Sequence, residues 1–238
     1  MDPQPVHRHY RVLLLVLTFS TGIIDGICYL ALDQVFTANM TGNVLILGMG
    51  LAGGPDVPTA GPLVALAAYV AGAAVAGFAF RNQRAGWHRT TTGLFAGVGV
   101  GVLAASAVAA AVGTPRGWHL LVVVAVLGVS MGVQAATARH LSVKDLTTTV
   151  VTSTLTGLAA DSFQGSHGRE AWVRRVSAVV ALGSGAAVGA LVLRAGTGAA
   201  LVVPGAIALG TAIVGETYRR RDLAGMRSAP SPGPSGQE

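Results

Sequence analysis

The sequence predicts an all-α polytopic membrane protein with six transmembrane helices, two short re-entrant or broken segments, and two inverted three-helix repeats. Of its 238 residues, 52% are hydrophobic and 11% are charged, whereas a soluble domain carries roughly a quarter charged residues. Several apolar runs approach the roughly 20 residues that a helix needs to cross a ~30 Å hydrocarbon core. No polar segment is long enough to form a second core, so we expect one integral membrane domain over residues 1–218.

The chain contains the same pattern twice. GAAVAGFAFR at residues 72–81 returns as GAAVGALVLR at residues 185–194, an offset of 113 residues. Upstream, LTFSTG from Leu17 returns as LGVSMG from Leu127, an offset of 110 residues. The duplication therefore defines repeat 1 at about 11–113 and repeat 2 at about 117–218. In membrane proteins, repeats of this kind commonly form a site where the two copies meet.

Six long apolar runs are predicted to be membrane-spanning helices. They lie at about 12–32, 61–80, 92–113, 117–138, 172–193 and 197–216. The first run follows basic residues, as a signal peptide does, but it continues to Leu32 without a small-residue cleavage site. Its pattern also recurs internally at residues 118–138, where cleavage has no meaning. We therefore expect the first run to be retained as a helix.

Two shorter segments, at about 36–52 and 146–160, are too polar at their starts to be ordinary spans. The positive charges decide between two topologies, because cytoplasmic loops are enriched in Lys and Arg. If both segments crossed, six of the 16 Lys and Arg residues would lie outside. If both enter and leave on one side, only Arg116 and Arg194 lie outside. The pattern favours six spans with cytoplasmic termini.

The six-span topology has a consequence for the repeats. Each repeat crosses the membrane three times, an odd number, so the second copy is predicted to be upside down relative to the first. The two short segments then enter from opposite faces. Non-helical backbone at that depth is tolerated only beside protein or a water-filled cavity. We therefore expect the two segments to approach each other near the midplane.

Composition excludes several classes of function. The net charge of +6 does not indicate nucleic acid, because the arginines cluster in short loops between apolar runs. The single Cys28 rules out an intramolecular disulfide, and the six histidines lack metal-ligand spacing. No nucleotide-binding loop occurs in the sequence. We expect no cofactor, no metal and no enzymatic activity, and a cytoplasmic basic stop-transfer cluster and disordered tail over residues 219–238.

Asp25 is the first residue expected to carry chemistry, because it lies about two-thirds of the way along the first span. An ionised carboxylate near the bilayer centre costs about 2.5–3.5 kcal/mol on insertion scales. Such a group either serves a proton or cation pathway or is hydrogen-bonded to a neighbouring helix, and both interpretations stand. The aligned neighbourhood of repeat 2 offers the uncharged Gln134, so a pathway through both would be asymmetric.

The sequence TANMTGN supplies a second polar group at the first short segment. Asn39, Thr41 and Asn43 form its polar face, and either Thr37 or Asn39 could cap the short helix that follows. The counterpart in repeat 2 is a run of hydroxyls: Thr147, Thr148, Thr149 and Thr152. Amides and hydroxyls bind polar solutes or partly dehydrated ions. The alternative is ordinary helix capping and hydrogen bonding between helices.

Arg194 is one of the two positive residues on the predicted outer side. Its repeat mate, Arg81, lies on the cytoplasmic side, where arginine is expected. Arg194 therefore either extends to the outer surface or pairs with a carboxylate such as Asp33, and the first is the simpler interpretation.

With STGIIDGICYLAL followed by VFTANMTGN, the chain resembles the YoaK-like family of bacterial multi-pass membrane proteins, a domain of unknown function. The positions that match its first two motifs are Gly22, Asp25, Phe36, Thr37, Asn39, Thr41, Gly42 and Asn43. A later Gly-x-Gln-Ala element with a Thr-rich run matches Gly132, Gln134, Ala135 and Thr147 to Thr149. Ala136 stands where the family commonly has Asn, which weakens the case for an amide pair. The resemblance implies the bacterial inner membrane and brings no established substrate.

Two functions follow from these residues. The first is a secondary transporter or channel-like permease for a small polar solute or ion, with Asp25, Asn39, Thr41, Asn43, Gln134 and the threonine run around a midplane site. The alternative is a non-transporting scaffold, sensor or accessory subunit, in which the polar segments hold helices together. The lipid bilayer is a partner in both, and a second copy of the chain is compatible with either.

Overall fold

A computed structural model describes residues 8–141 and 165–228 of the chain. Within those residues every regular element is helical, in agreement with the predicted fold class. The helices are α1 (Arg8–Ala31), α2 (Met40–Leu51), α3 (Ala60–Phe80), α4 (Arg89–Val112), α5 (Trp118–His140), α6 (Gly165–Val192) and α7 (Thr197–Ser228), with a 3₁₀ turn at Leu193–Ala195 between the last two.

Six of these helices are long and apolar enough to cross a membrane, which confirms the six predicted spans. They are His9–Ala31, Ala60–Phe80, Arg89–Val112, Trp118–His140, Trp172–Ala195 and Thr197–Ala224. The predicted segment at 36–52 corresponds to α2, a helix of 12 residues. At 1.5 Å per residue α2 is about 18 Å long, too short for a ~30 Å core. The segment predicted at 146–160 lies outside the described residues.

The last helix differs from the prediction, because α7 continues to Ser228 rather than ending near residue 216. Glu216 accepts hydrogen bonds from Arg219, three residues later, and from Arg220, four residues later, at 2.6–2.9 Å. Asp222 accepts a 3.0 Å hydrogen bond from the Tyr10 hydroxyl on α1. Pairs at these spacings stabilise a helix, so the basic cluster extends the helix instead of terminating it.

Two pairs of helices cross at glycines, and both pairs are parallel. A Cβ atom at Gly22 of α1 would clash with Leu182 of α6, and one at Gly26 would clash with Ala186 further along α6. The two contacts advance in the same direction along both chains, so α1 and α6 are parallel. Glycine at such positions lets helix backbones approach closely.

The second crossing joins α3 and α5. Gly61 of α3 lies beside Leu120 near the start of α5, and further along a Cβ at Gly132 of α5 would clash with Tyr69 of α3. These helices are therefore parallel as well. Near their ends, the rings of Phe80 and His140 stack with centroids 3.9 Å apart.

The remaining contacts are antiparallel. Between α4 and α7, the Thr92 hydroxyl donates to Glu216, whereas Ser106 donates to the carbonyl of Gly198. Between α1 and α7, the Tyr10 hydroxyl donates to Asp222 and Ser20 to the carbonyl of Pro204. Helices α1 and α4 both run against α7, so they point the same way.

The turn between α4 and α5 reverses the chain. Gly113 and Gly117 adopt positive φ angles of 76° and 54° in it, a conformation that glycine takes without steric cost. Gly101 of α4 then lies against Ser130 of α5. Since α3 is parallel to α5, α3 points opposite to both α4 and α1. The helix between α1 and α3, α2, therefore does not cross the bilayer, as the charge pattern predicts.

The two parallel crossings use equivalent residues of the two repeats. The pair Gly22 with Leu182 becomes Gly132 with Tyr69 when α1 is shifted by 110 residues and α3 by 113. The pair Phe19 with Gly185 becomes Val129 with Gly72 by the same shifts. Helix α1 of repeat 1 thus packs against repeat 2, and α5 of repeat 2 packs against repeat 1.

Candidate functional site

The chain turns back sharply after α1. Asp33 and Gln34 both adopt a positive φ of 57°, a left-handed conformation that costs free energy in residues with a Cβ atom. The next residues return alongside α1, and α2 begins at Met40. Backbone amides in this non-helical stretch need acceptors, because lipid provides none.

Asp25 supplies those acceptors. Its Oδ1 atom accepts hydrogen bonds from the amides of Thr37 at 2.8 Å and Ala38 at 2.9 Å, and from the Thr37 hydroxyl at 3.2 Å. Its Oδ2 atom accepts from the amide of Asn39 at 3.1 Å. The Asp25 residue is only 8% exposed. We call these four residues the Asp25 cluster; in it, one carboxylate holds three consecutive backbone amides at the start of α2.

Asn43 makes a second connection across the same stretch. Its side-chain nitrogen donates to the carbonyl of Phe36 at 2.6 Å, and its side-chain oxygen accepts from the amide of Phe36 at 3.0 Å. Asn43 is fully buried. Because both polar ends of the amide are engaged by one backbone unit, Asn43 fixes the distance between α2 and the segment before it.

Asn39 and Thr41 lie in a different environment. Asn39 is the N-cap of α2, and its side-chain oxygen accepts from the amide of Gly42 at 3.4 Å. This resolves the choice between Thr37 and Asn39 in favour of Asn39. Both Asn39 and Thr41 are exposed. Of the motif TANMTGN, only Thr37, Ala38 and Asn43 are therefore buried among the helices.

Gln134 belongs to a separate group on α5. Its side-chain nitrogen donates to the Thr21 hydroxyl of α1 at 2.9 Å, and Thr21 donates to the carbonyl of Leu17 at 2.9 Å. Both residues border a cavity of about 20 Å³ between α1 and α5, which is enough for roughly one water molecule. We call it the Gln134 cavity; its lining is Leu14, Leu17, Thr18, Thr21, Ala38, Met131, Gln134, Ala135 and Ala138.

The predicted single site is therefore two adjacent groups in the described structure. Ala38 belongs to both, since its amide binds Asp25 and the residue lines the Gln134 cavity. Asn39 joins Asp25 through its backbone, while Asn43 binds Phe36 and Thr41 is exposed. The calls on Thr147, Thr148, Thr149 and Thr152 lie outside the described residues, so the solute pathway stays a prediction.

Sequence reasoning missed Thr18 and Thr21, which line the cavity. The signal was present in their spacing, because positions 18, 21 and 25 lie three and seven residues apart and share one helix face. That face carries two hydroxyls and a carboxylate in an otherwise apolar helix. A periodic search for polar residues within the spans would have found it.

The comparisons with known proteins support the family resemblance. A family model described as a protein of unknown function, DUF1275, matches residues 13–214. The UPF0700 transmembrane protein YoaK of Bacillus subtilis (strain 168) is 43% identical over 68 residues. That alignment spans 28% of this chain and 30% of the relative's length. No solved structure is significantly similar to the chain.

Proposed function

Because this chain belongs to the DUF1275 family of proteins of unknown function, we propose a function from its own geometry, that of a secondary transporter or channel-like permease for a small polar solute or ion. The observation that carries the proposal is the Gln134 cavity. It is a polar space between two membrane-spanning helices, and it adjoins the non-helical start of α2. Substrate sites of transporters commonly lie beside discontinuous helices near the bilayer midplane.

The chemistry of the lining favours a neutral solute over an ion. The described residues around the cavity offer two hydroxyls, from Thr18 and Thr21, and the amide of Gln134, and none of them is charged. Hydroxyls and amides both donate and accept hydrogen bonds, so they match a solute with groups of both kinds. With about 20 Å³ of space, passage requires α1 and α5 to separate.

The repeat pattern supports this location. Helices α1 and α5 open the two repeats, point in opposite directions, and flank the cavity. The glycine crossings of the two repeats use residues related by the sequence offsets of 110 and 113. We propose that the repeats are inverted and that movement of one crossing pair against the other opens the cavity alternately to the two sides.

In this proposal Asp25 is a positioning residue. All four of its hydrogen bonds come from residues 37 to 39, at the entrance to α2. They keep Ala38 at the edge of the cavity. Solute contact belongs to Thr21 and Gln134, and no catalytic step is involved.

Solute entry into sealed vesicles tests the proposal. The full-length protein in phosphatidylcholine vesicles is mixed with glycerol, urea or erythritol, and swelling is followed by light scattering; potassium and proton gradients with dyes cover ions. We expect faster entry than in protein-free vesicles for at least one neutral solute. Replacing Gln134 with Leu is expected to slow this entry roughly three- to tenfold, the effect of one lost hydrogen bond.

The matched control is Ser184→Ala. The Ser184 hydroxyl donates to the carbonyl four residues earlier, as Thr21 does, but it is exposed on α6 away from the cavity. It is expected to leave solute entry unchanged. Equal rates for wild type and Gln134→Leu, both folded and both above the protein-free rate, would contradict a pathway through the cavity.

A second candidate is the non-transporting scaffold, sensor or accessory subunit. The observation that favours it is the complete engagement of Asp25 and Asn43 by nearby backbone. A protein of this kind would lose its fold when Asp25 is replaced by Ala, and it would show no entry of any solute in the vesicle assay.

The membrane orientation is proposed as well, with both termini in the cytoplasm of a bacterial inner membrane. A cysteine introduced near Pro55, between α2 and α3, is expected to react with a membrane-impermeant maleimide added to intact cells, after Cys28 is replaced by Ser. Reaction only after the cells are opened would reverse the orientation.

A further inference from the structure

A basic pocket lies where α4 begins and α7 passes it. Its lining is Arg89, Arg219, Arg220, Leu223 and Ala224, and its volume is about 550 Å³. The Arg220 side chain is 73% exposed, whereas that of Arg219 is 14% exposed. Three guanidinium groups in one pocket form a site for an anion, since arginine binds phosphate oxygens with paired N–H donors.

Glu216 holds two of these guanidinium groups without cancelling the charge. It accepts from Nε and Nη2 of Arg219 and from Nε of Arg220, and it accepts from the Thr92 hydroxyl at 3.1 Å. One carboxylate thus faces three arginines, so the pocket keeps a positive charge. Each guanidinium has five N–H donors, and Glu216 takes two from Arg219 and one from Arg220.

An apolar groove continues from the basic pocket along α4 and α7. Its volume is about 360 Å³, and Arg220 borders both spaces. The lining of this groove is Thr92, Ala96, Leu209, Ala212, Ile213, Glu216, Thr217 and Arg220. Ile213 is 65% exposed, so the groove opens at the outer surface of two membrane-spanning helices. In a bilayer that surface faces acyl chains.

Aromatic rings mark the depth of the basic pocket. Tyr10 stacks on Trp87 with centroids 5.0 Å apart, and His9 stacks on Tyr218 at 4.4 Å. The indole N–H of Trp87 donates to Thr92 at 2.9 Å, the same hydroxyl that bonds Glu216. Tyr and Trp collect at the level of lipid headgroups, so the arginines lie where a phosphate group of the bilayer is found.

We propose that this pocket and groove together bind one anionic phospholipid. Arg89, Arg219 and Arg220 contact its phosphate and headgroup, and one acyl chain lies along Ala96, Leu209 and Ile213. Basic pockets between transmembrane helices are known to select anionic lipids by charge. A bound lipid would join α4 of repeat 1 to α7 of repeat 2, and this inference is independent of transport.

The test measures thermal unfolding of the purified full-length protein in neutral detergent. Phosphatidylglycerol is compared with phosphatidylcholine of the same acyl chains and with inorganic phosphate. At about ten times its dissociation constant, phosphatidylglycerol is expected to raise the Tm by about 4 °C. Phosphatidylcholine and inorganic phosphate are expected to give much smaller shifts.

Variants separate the two parts of the site. The double change Arg89→Gln with Arg220→Gln is expected to weaken the apparent affinity for phosphatidylglycerol roughly fivefold per arginine. Arg116→Gln, an exposed arginine at the other end of α4, is the charge-matched control and is expected to have no effect. Ala96→Phe fills the groove at constant charge and is expected to reduce the number of lipids retained in native mass spectrometry.

Three outcomes would overturn the proposal. They are equal stabilisation by the two phospholipids, an unchanged phosphatidylglycerol response in the double arginine variant, and a shift from inorganic phosphate as large as that from the lipid. Lipid retention by native mass spectrometry is read on the same samples, so a variant with a lower Tm remains informative.

Discussion

The Asp25 cluster and the Gln134 cavity are both polar groups inside apolar helices, yet they differ in how completely they are used. In the Asp25 cluster, one carboxylate accepts four hydrogen bonds from residues 37 to 39, and no space is left between them. Beside the Gln134 cavity, Gln134 makes one hydrogen bond to Thr21 next to a space of about 20 Å³. Polar residues at membrane depth therefore serve two purposes here: the first group holds the backbone, and the second can receive a ligand.

The largest expected effect is on the Asp25 cluster. Replacing Asp25 with Ala removes the acceptor of three buried amides, and each unsatisfied group costs about 1–3 kcal/mol. We expect the free energy of unfolding to fall by roughly 4 kcal/mol, measured by thermal or denaturant unfolding in detergent. Asp25→Asn retains one acceptor oxygen and should lose about half as much. A stable Asp25→Ala protein would show that the cluster does not hold the backbone.

The next largest effect is expected at Asn43. The change Asn43→Leu removes both hydrogen bonds to Phe36 and leaves its amide and carbonyl buried without a partner. We expect a loss of about 2–3 kcal/mol in the free energy of unfolding. Cysteine labelling near Pro55 should become faster at the same time, because α2 loses a fixed position. An unchanged unfolding midpoint would place Asn43 with the residues that can receive a ligand.

The Gln134 cavity is expected to respond in the opposite sense. Gln134→Met keeps the length of the side chain and removes its polar atoms, leaving the Thr21 hydroxyl bonded to Leu17. We expect the free energy of unfolding to change by less than about 1 kcal/mol, while solute entry into vesicles slows. A large loss of stability with unchanged entry would remove the distinction between the two groups.

The smallest effect is expected at Asn39, which caps α2 at an exposed position. Substituting Ala removes the hydrogen bond to the Gly42 amide and should cost about 0.5–1 kcal/mol. Its backbone contact with Asp25 remains, so the Asp25 cluster is preserved. A loss as large as that of Asp25→Ala would mean that the cap, and not the carboxylate, positions α2.

The sequence predicted the spans well because hydropathy and positive charge act locally. Each apolar run reports its own length, and the distribution of arginines distinguished six spans from eight. The polar motif also located α2 correctly, since Asn39 is an N-cap with a recognisable sequence. These properties depend on neighbouring residues along the chain.

The partners of the polar residues could not be predicted in the same way. That Asp25 binds the amides of residues 37 to 39 depends on how deep the chain returns after Asp33 and Gln34. That Gln134 binds Thr21 depends on how α1 and α5 are rotated about their axes. Hydropathy contains neither quantity, so one predicted site became two groups.

The glycine crossings have a consequence for how the protein is made. Helix α1 packs at Gly22 and Gly26 against α6, and α3 packs against α5. When α4 leaves the ribosome, neither α1 nor α3 has its packing partner, so both glycine faces stay in contact with lipid until the second half is synthesised. Neither half is then an independent folding unit, and two separately expressed halves should become protease-resistant only when they are produced in the same cell.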